Sequence, residues 1–215
     1  MEDFDKMAAG FDTTRRIERA KAIAGEIRSH ITLGHEKSAL EYGCGTGLIG
    51  FQLIDDFDSI LFVDSSPAMI EQVKQKLLGL YKSADNAICY DFMSSVPPDM
   101  KVDYIFSSLV LHHITDTKGI LSRFYDMLND GGRVLIVDID VDDGSFHSEY
   151  PDFDGYNGFE HEGLAELAIA VGFGAVDIRT FYCGSKGGKE YSLFILDAKT
   201  CCCTEANLLK SHYTV

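Results

Sequence analysis

Glu41-Tyr42-Gly43-Cys44-Gly45-Thr46-Gly47-Leu48-Ile49-Gly50 decides how this chain is read. A short strand over residues 37–42 is predicted to lead into it and a helix over residues 48–56 to lead away, a strand–turn–helix unit. Glycines let backbone approach a ligand closely, and the following helix offers unpaired N–H groups. Gly45, Gly47 and Gly50 fit G-x-G-x-x-G, with Gly50 expected to serve close helix–sheet packing. Asp64 follows near the ~20-residue spacing of an acid that holds ribose hydroxyls. Alone, these features predict a dinucleotide site. Glu41, at the end of the predicted strand, points elsewhere, because a pyrophosphate needs only the helix dipole whereas a carboxylate balances a cationic ligand.

Outward from this unit the chain keeps a βα period. An amphipathic helix is predicted over residues 13–29, with Ile17, Ala20, Ile23, Ala24 and Ile27 on one face, before a break at Leu33-Gly34. Downstream come a strand over 59–63, a helix over 67–82 with Pro67 in its first turn, a strand over 86–90 and a Pro97-Pro98 loop. The apolar run 102–106, a helix over 117–128, the turn Asn129-Asp130-Gly131-Gly132 and a strand over 133–137 complete five buried parallel strands. Residues 138–158 form a long acidic, aromatic-bearing loop, expected to close over a site as a lid. A helix over 161–171, strands over 175–183 and 190–196 and the turn 184–188 predict a closing antiparallel hairpin.

Composition narrows the function. With 215 residues, 46% hydrophobic and 25% charged, the chain is expected to fold as one domain over residues 1–198, with 1–30 as a helical cap and 199–215 as a tail. A formal net charge of −15 repels a phosphate backbone, so nucleic acid is not an expected partner. No apolar run approaches the ~20 residues of a membrane span, and the acidic start MEDFDKMAAGFD is unlike a secretory signal; a cytoplasmic protein, monomeric or homodimeric, is expected. Cys44, Cys89 and Cys183 lie apart at predicted core or motif positions, and Cys201, Cys202 and Cys203 are consecutive. Adjacent thiols do not converge on one tetrahedral centre, so neither a disulfide framework nor a metal site is expected.

The segments in order resemble class I S-adenosylmethionine-dependent methyltransferases over nearly the whole chain. Glu41 to Gly47 is similar to that family's first motif, and Phe62-Val63-Asp64-Ser65-Ser66-Pro67-Ala68-Met69 to its second segment. Ala87-Ile88-Cys89-Tyr90-Asp91-Phe92 resembles the third, 102–114 the fourth, and 128–136 the turn before strand five. The resemblance implies an α/β, Rossmann-like three-layer sandwich with strand order 3-2-1-4-5-7-6 and an antiparallel last strand. It implies S-adenosylmethionine as cofactor, held by Glu41, Gly43, Cys44, Gly45, Asp64, Ser65, Met69, Asp91, Phe92 and Ser107. Asp64 would take the ribose hydroxyls, Asp91 the adenine amino group, and Phe92 the ring. The loop 138–147 and Asn157-Gly158-Phe159 resemble small-molecule methyltransferases related to the quinone-biosynthesis group.

Ligands of open α/β sheets bind beyond the carboxyl ends of the strands, where Glu41, Asp64, Asp91 and Ser107 are expected to meet. Methyl transfer from a sulfonium is an in-line displacement from a good leaving group, so alignment and desolvation of a small-molecule acceptor supply most of the catalysis. Where the acceptor must lose a proton, His112, His113 and His147 are the candidate bases, although the paired histidines also suit a structural role. Phe146, Tyr150, Phe153 and Tyr156 in an acidic lid suit a cationic or aromatic acceptor. Two rival readings share these residues: an NAD-dependent oxidoreductase, and a non-catalytic protein that binds S-adenosylmethionine.

Overall fold

A computed structural model of the chain describes residues 4–32, 37–91, 100–150 and 152–201. Strands β1 (Ser38–Tyr42), β2 (Ser59–Asp64), β3 (Ala87–Cys89), β4 (Val102–Ser108) and β5 (Leu128–Ile139) pair in parallel. β6 (Gly174–Lys186) and β7 (Lys189–Lys199) form a hairpin, and β7 pairs antiparallel with β5. The sheet order is β3-β2-β1-β4-β5-β7-β6, as expected. Strand order reverses between β1 and β4, so the crevice above their carboxyl ends is where this topology seats a ligand.

Helices on both faces explain why the central strands are apolar on both sides. On one face, α2 (Thr14–Ser29) and α3 (Pro67–Gly79) bury Ile23, Ile27, Val73 and Leu77 against Phe62, Phe106, Leu135 and Val137. On the other, α4 (Thr117–Met127) and α5 (His161–Val171) bury Leu121, Phe124, Leu164 and Ala168 against Ile105, Val134, Ile136 and Phe194. Caps fix the helix starts: Thr13 Oγ1 accepts from Arg16 N, Ser66 Oγ from Met69 N at 3.2 Å, and Asp116 Oδ1 from Gly119 N at 2.8 Å. A one-turn helix, α1 (Phe4–Met7), precedes them.

The chain departs from the expected elements at identifiable places. Residues 48–56 do not form a regular helix; a 3-10 turn, Gly50–Gln52, replaces it. Gly50 N–H donates to Glu41 Oε2 at 3.1 Å, and Thr46 O, its helical acceptor, instead receives Lys76 Nζ at 2.7 Å. α3 stops at Gly79 rather than residue 82, and the exposed Tyr81 takes φ +56°. Residues 129–132 are absorbed into β5 through an irregular register opposite Asp103, with Gly131 at φ +73°. The hairpin turn contracts to Gly187 and Gly188, whose φ of +60° and +81° match the twist of the flanking strands. Cys89 and Cys183 are exposed, not core, because β3 and β6 are the two sheet edges. The Leu33-Gly34 break, the Pro97-Pro98 loop, Cys202 and Cys203 lie outside the described residues.

Candidate cofactor and acceptor site

The glycine turn is set by three residues in left-handed backbone: Gly43 at φ +65°, Gly45 at +52° and Gly47 at +78°. Two carboxylates hold it from below. Asp64, ending β2, accepts Gly45 N–H at 2.7 Å on one oxygen and Ser66 N–H at 2.8 Å on the other. Glu41, ending β1, is buried and receives Gly50 N–H. A Cβ on Gly50 would overlap both Glu41 Oε2 and the Phe62 ring, so the close packing expected of Gly50 is observed. Burial raises the Asp64 carboxyl above its usual range and pushes Glu41 up to about 8, with the nearby Asp64 charge adding to the rise.

The segment before α2 seals this turn from outside. Phe11 lies against Gly45, and Asp12 pairs with Lys76 Nζ at 2.8 Å and accepts the Thr46 hydroxyl. Asp5 accepts from Ser66 Oγ and from Ala68 N at 3.3 Å, at the start of α3. Four carboxylates, Asp5, Asp12, Glu41 and Asp64, thus surround the turn. A carboxylate-rich cradle of glycines and hydroxyl acceptors fits a cationic ligand that also carries ribose hydroxyls.

Across the strand-order reversal stands a second cluster. After β4, Leu109 takes φ +57°, Val110 packs against Gly43, and a 3-10 turn, Leu111–His113, carries the paired histidines. His112 Nδ1 lies 2.6 Å from Asp138 Oδ1, while His112 N–H donates to Asp138 Oδ2 at 3.3 Å and Ile139 N–H to Oδ1 at 2.8 Å. Every demand of the buried Asp138 carboxylate is therefore met. His147 comes from the 138–158 loop, where Asp142 and Asp143 cap the turn Ser145–His147. Its ring stacks on Phe153 at 3.6 Å and 6°. Burial drives His113 down to about 3 and His147 to about 4, each helped by the His112 ring beside it, so both are neutral imidazoles at pH 7. Phe4 closes edge-on over His113 at 5.7 Å, and Tyr156 N–H donates to His112 O at 2.8 Å.

The structure gathers Glu41, Gly43, Cys44, Gly45, Asp64, Ser65 and Met69 around the turn. Cys44 N–H donates to Val63 O at 3.0 Å, and the buried Met69 sits in the first turn of α3. Ser107 is spent differently, its hydroxyl donating to Tyr42 O at 2.9 Å between β4 and β1. Asp91 follows Tyr90, whose N–H donates to Asp64 O at 2.9 Å, which keeps it at the same rim. Phe92 lies outside the described residues. Three participants escaped sequence reasoning: Asp138, Asp5 and Asp12. Asp138 interrupts an apolar strand, and Phe-Asp recurs at Phe4-Asp5 and Phe11-Asp12 ahead of the first long helix; those were the available signals.

Comparison with known proteins agrees with this geometry. Residues 40–134 match the family model described as "Methyltransferase domain". The chain is 29% identical over 137 residues to malonyl-[acyl-carrier protein] O-methyltransferase 1 of Ilyobacter polytropus, covering 62% of this chain and 49% of that protein. It is 32% identical over 130 residues to phosphoethanolamine N-methyltransferase 3 of Arabidopsis thaliana, covering 60% of this chain and 26% of that protein. The chain thus spans half or less of the length of these two relatives. Among solved structures, a Haemonchus contortus phosphoethanolamine N-methyltransferase 2 bound to phosphomonomethylethanolamine and S-adenosylhomocysteine superposes with a TM-score of 0.69 at 19% identity, over 86% of this chain and 52% of that one. Residues 40–134 thus match a methyltransferase domain within a sheet of order β3-β2-β1-β4-β5-β7-β6, the fold shared with that solved structure. No helix among the described residues is long and apolar enough to cross a membrane.

Proposed function

We propose that the chain transfers a methyl group from S-adenosylmethionine to a small-molecule acceptor seated between the glycine turn and the histidine cluster. One observation carries this: carboxylates ending β1 and β2 hold a positive-φ glycine turn at the strand-order reversal, with neutral imidazoles directly across from it. Bound there, S-adenosylmethionine would supply an electrophilic methyl on a sulfonium. Glu41 would balance the cationic methionine end, Asp64 and Ser65 would meet the ribose, and Asp91 and Phe92 the adenine. The 138–158 loop and the segment carrying Phe4 and Phe11 exclude water from the reacting atoms, and alignment does most of the catalytic work. An already anionic oxygen acceptor needs no base; for a hydroxyl acceptor, His113 or His147 would receive the proton as the negative charge developing beside them offsets their lowered basicity, while His112, held by Asp138, positions its neighbours.

The lid's aromatic faces bear on the acceptor. Lys186 Nζ sits 4.7 Å from the Phe146 ring centroid and 5.6 Å from that of Tyr150, so a resident ammonium already uses the cation–π positions there. That favours a neutral or anionic oxygen acceptor over a cationic one. The NAD reading is opposed by Glu41 and by β7 inserted between β5 and β6. Turnover distinguishes catalysis from mere binding: S-adenosylhomocysteine release is expected with a hydroxyl or carboxyl compound from a panel that includes phosphoethanolamine and malonyl thioesters. Tight cofactor binding with no turnover on any hydroxyl, carboxyl, amine or thiol would favour a non-catalytic binder.

A further inference from the structure

We infer that His112, His113 and His147 bind one divalent transition metal of borderline softness, with Zn2+ as the type, leaving a coordination position open toward the acceptor. The ligand nitrogens of the three residues all lie within 4.8 Å of one another. Nitrogens on a tetrahedral centre with ~2.0–2.1 Å bonds stand about 3.3 Å apart, so a closure of at most about 1.5 Å at any pair completes the site. His113, half-buried between the edges of Phe4 and Phe153, is the least enclosed of the three and is the ring that would make that move.

Two further observations point to a ligand. First, His147 is only 5% exposed, yet its Nδ1 is sealed from solvent with no hydrogen-bond partner among the described residues. Buried polar atoms are almost always paired, and an unprotonated nitrogen on a ring 4.9 and 5.9 Å from two other imidazole rings can be satisfied by an electron-pair acceptor such as a metal ion. Second, Asp138 binds His112 Nδ1, the arrangement by which metal-ligating histidines are oriented and made more basic, which frees Nε2 as the donor. Three protein nitrogens and no thiolate leave the fourth position for water or an acceptor oxygen, the pattern of catalytic rather than structural zinc. Lys186, whose charge acts on His147, donates to Phe146 O at 2.6 Å and pairs with Glu149 at 3.5 Å, which tempers its repulsion of a metal.

Use of the open position by an acceptor rests on the methyltransferase reading, and with the metal bound His113 and His147 serve as ligands and not as the acceptor's base; metal binding itself does not rest on that reading. The test uses the full chain carrying Cys201→Ser, Cys202→Ser and Cys203→Ser, so that tail thiols cannot capture metal. After chelator dialysis it is titrated with Co2+ and read by visible d–d absorption. One equivalent should produce saturating bands that Zn2+ abolishes. His147→Phe, which preserves the stack on Phe153, and His113→Asn should each remove the bands with circular dichroism unchanged. Asp138→Asn should weaken binding 10–100-fold. Absence of saturable binding, or Co2+ bands that survive both histidine variants, would overturn the site. S-adenosylmethionine affinity measured on the metal-free protein keeps the two readings apart: its loss would remove the methyltransferase proposal and leave the metal result standing.

Discussion

His112 Nδ1 lies 2.6 Å from Asp138 Oδ1, and both side chains are sealed from solvent. Removing Asp138 leaves His112 Nδ1 and the His112 and Ile139 N–H groups without this acceptor in a sealed site, at about 1–3 kcal/mol for each unsatisfied group, so Asp138→Ala should cost about 3–5 kcal/mol of stability. Asp138→Asn should cost less, since its amide oxygen still accepts a hydrogen bond. Chemical denaturation of both variants measures this. A loss for the alanine variant no larger than the ~0.5 kcal/mol of an ordinary surface substitution would contradict the assignment.

Glu41 carries a pH signature. Its carboxyl is raised from 4.5 to about 8 by burial, so the folded chain keeps a proton that the unfolded chain has already released. Stability should therefore fall as pH rises from about 4.5 toward 8 and level off above, and Glu41→Gln should flatten that slope, by up to a few kcal/mol. A cationic ligand favours the ionised form, so S-adenosylmethionine affinity should rise toward pH 8 with proton release, measurable by calorimetry in buffers of differing ionisation enthalpy. Glu41→Gln should weaken S-adenosylmethionine and S-adenosylhomocysteine, both bearing the ammonium, and spare adenosine. An equal loss for adenosine would make Glu41 purely structural.

Much of this site was legible in the sequence because its logic is local. Glycine spacing, an acid closing each of β1 and β2, and the βα period all lie along the chain, and the closing hairpin followed from its turn residues. What stayed hidden depends on distant partners. Nothing near residue 50 announces that Glu41 and Lys76 take the hydrogen bonds a helix over 48–56 needs. Likewise Asp138 meets His112 only because β4 and β5 run side by side. Asp5 and Asp12 act on α3 and the glycine turn from a segment whose own local pattern is too short to read.

That segment yields a dynamic prediction. Phe4 touches His113, Tyr150 Oη lies 4.0 Å from Met7 Sδ, and Phe11 covers Gly45, so residues 4–13 bridge the cofactor turn and the 138–158 loop. Hydrogen exchange in both stretches should slow when S-adenosylhomocysteine binds. Protection confined to residues 43–50 would deny them a covering role.

Asp64 gives an affinity prediction. Its oxygens already receive Gly45 and Ser66 N–H groups and retain capacity for ribose hydroxyls, so Asp64→Ala should cost roughly 1.5–3 kcal/mol of cofactor affinity. Asp64→Asn, with one acceptor oxygen kept, should lose less. Unchanged calorimetric affinity in the alanine variant would dissociate Asp64 from the ribose.

The central claim is that the carboxylate-held glycine turn selects a cationic nucleoside cofactor, and parallel titration of the unmodified chain with S-adenosylmethionine, S-adenosylhomocysteine and NAD tests it most directly. The account predicts saturable binding of the first two, one per chain, and none of NAD at comparable concentration. Tight NAD binding with no response to S-adenosylmethionine would contradict it and return the turn to a dinucleotide role.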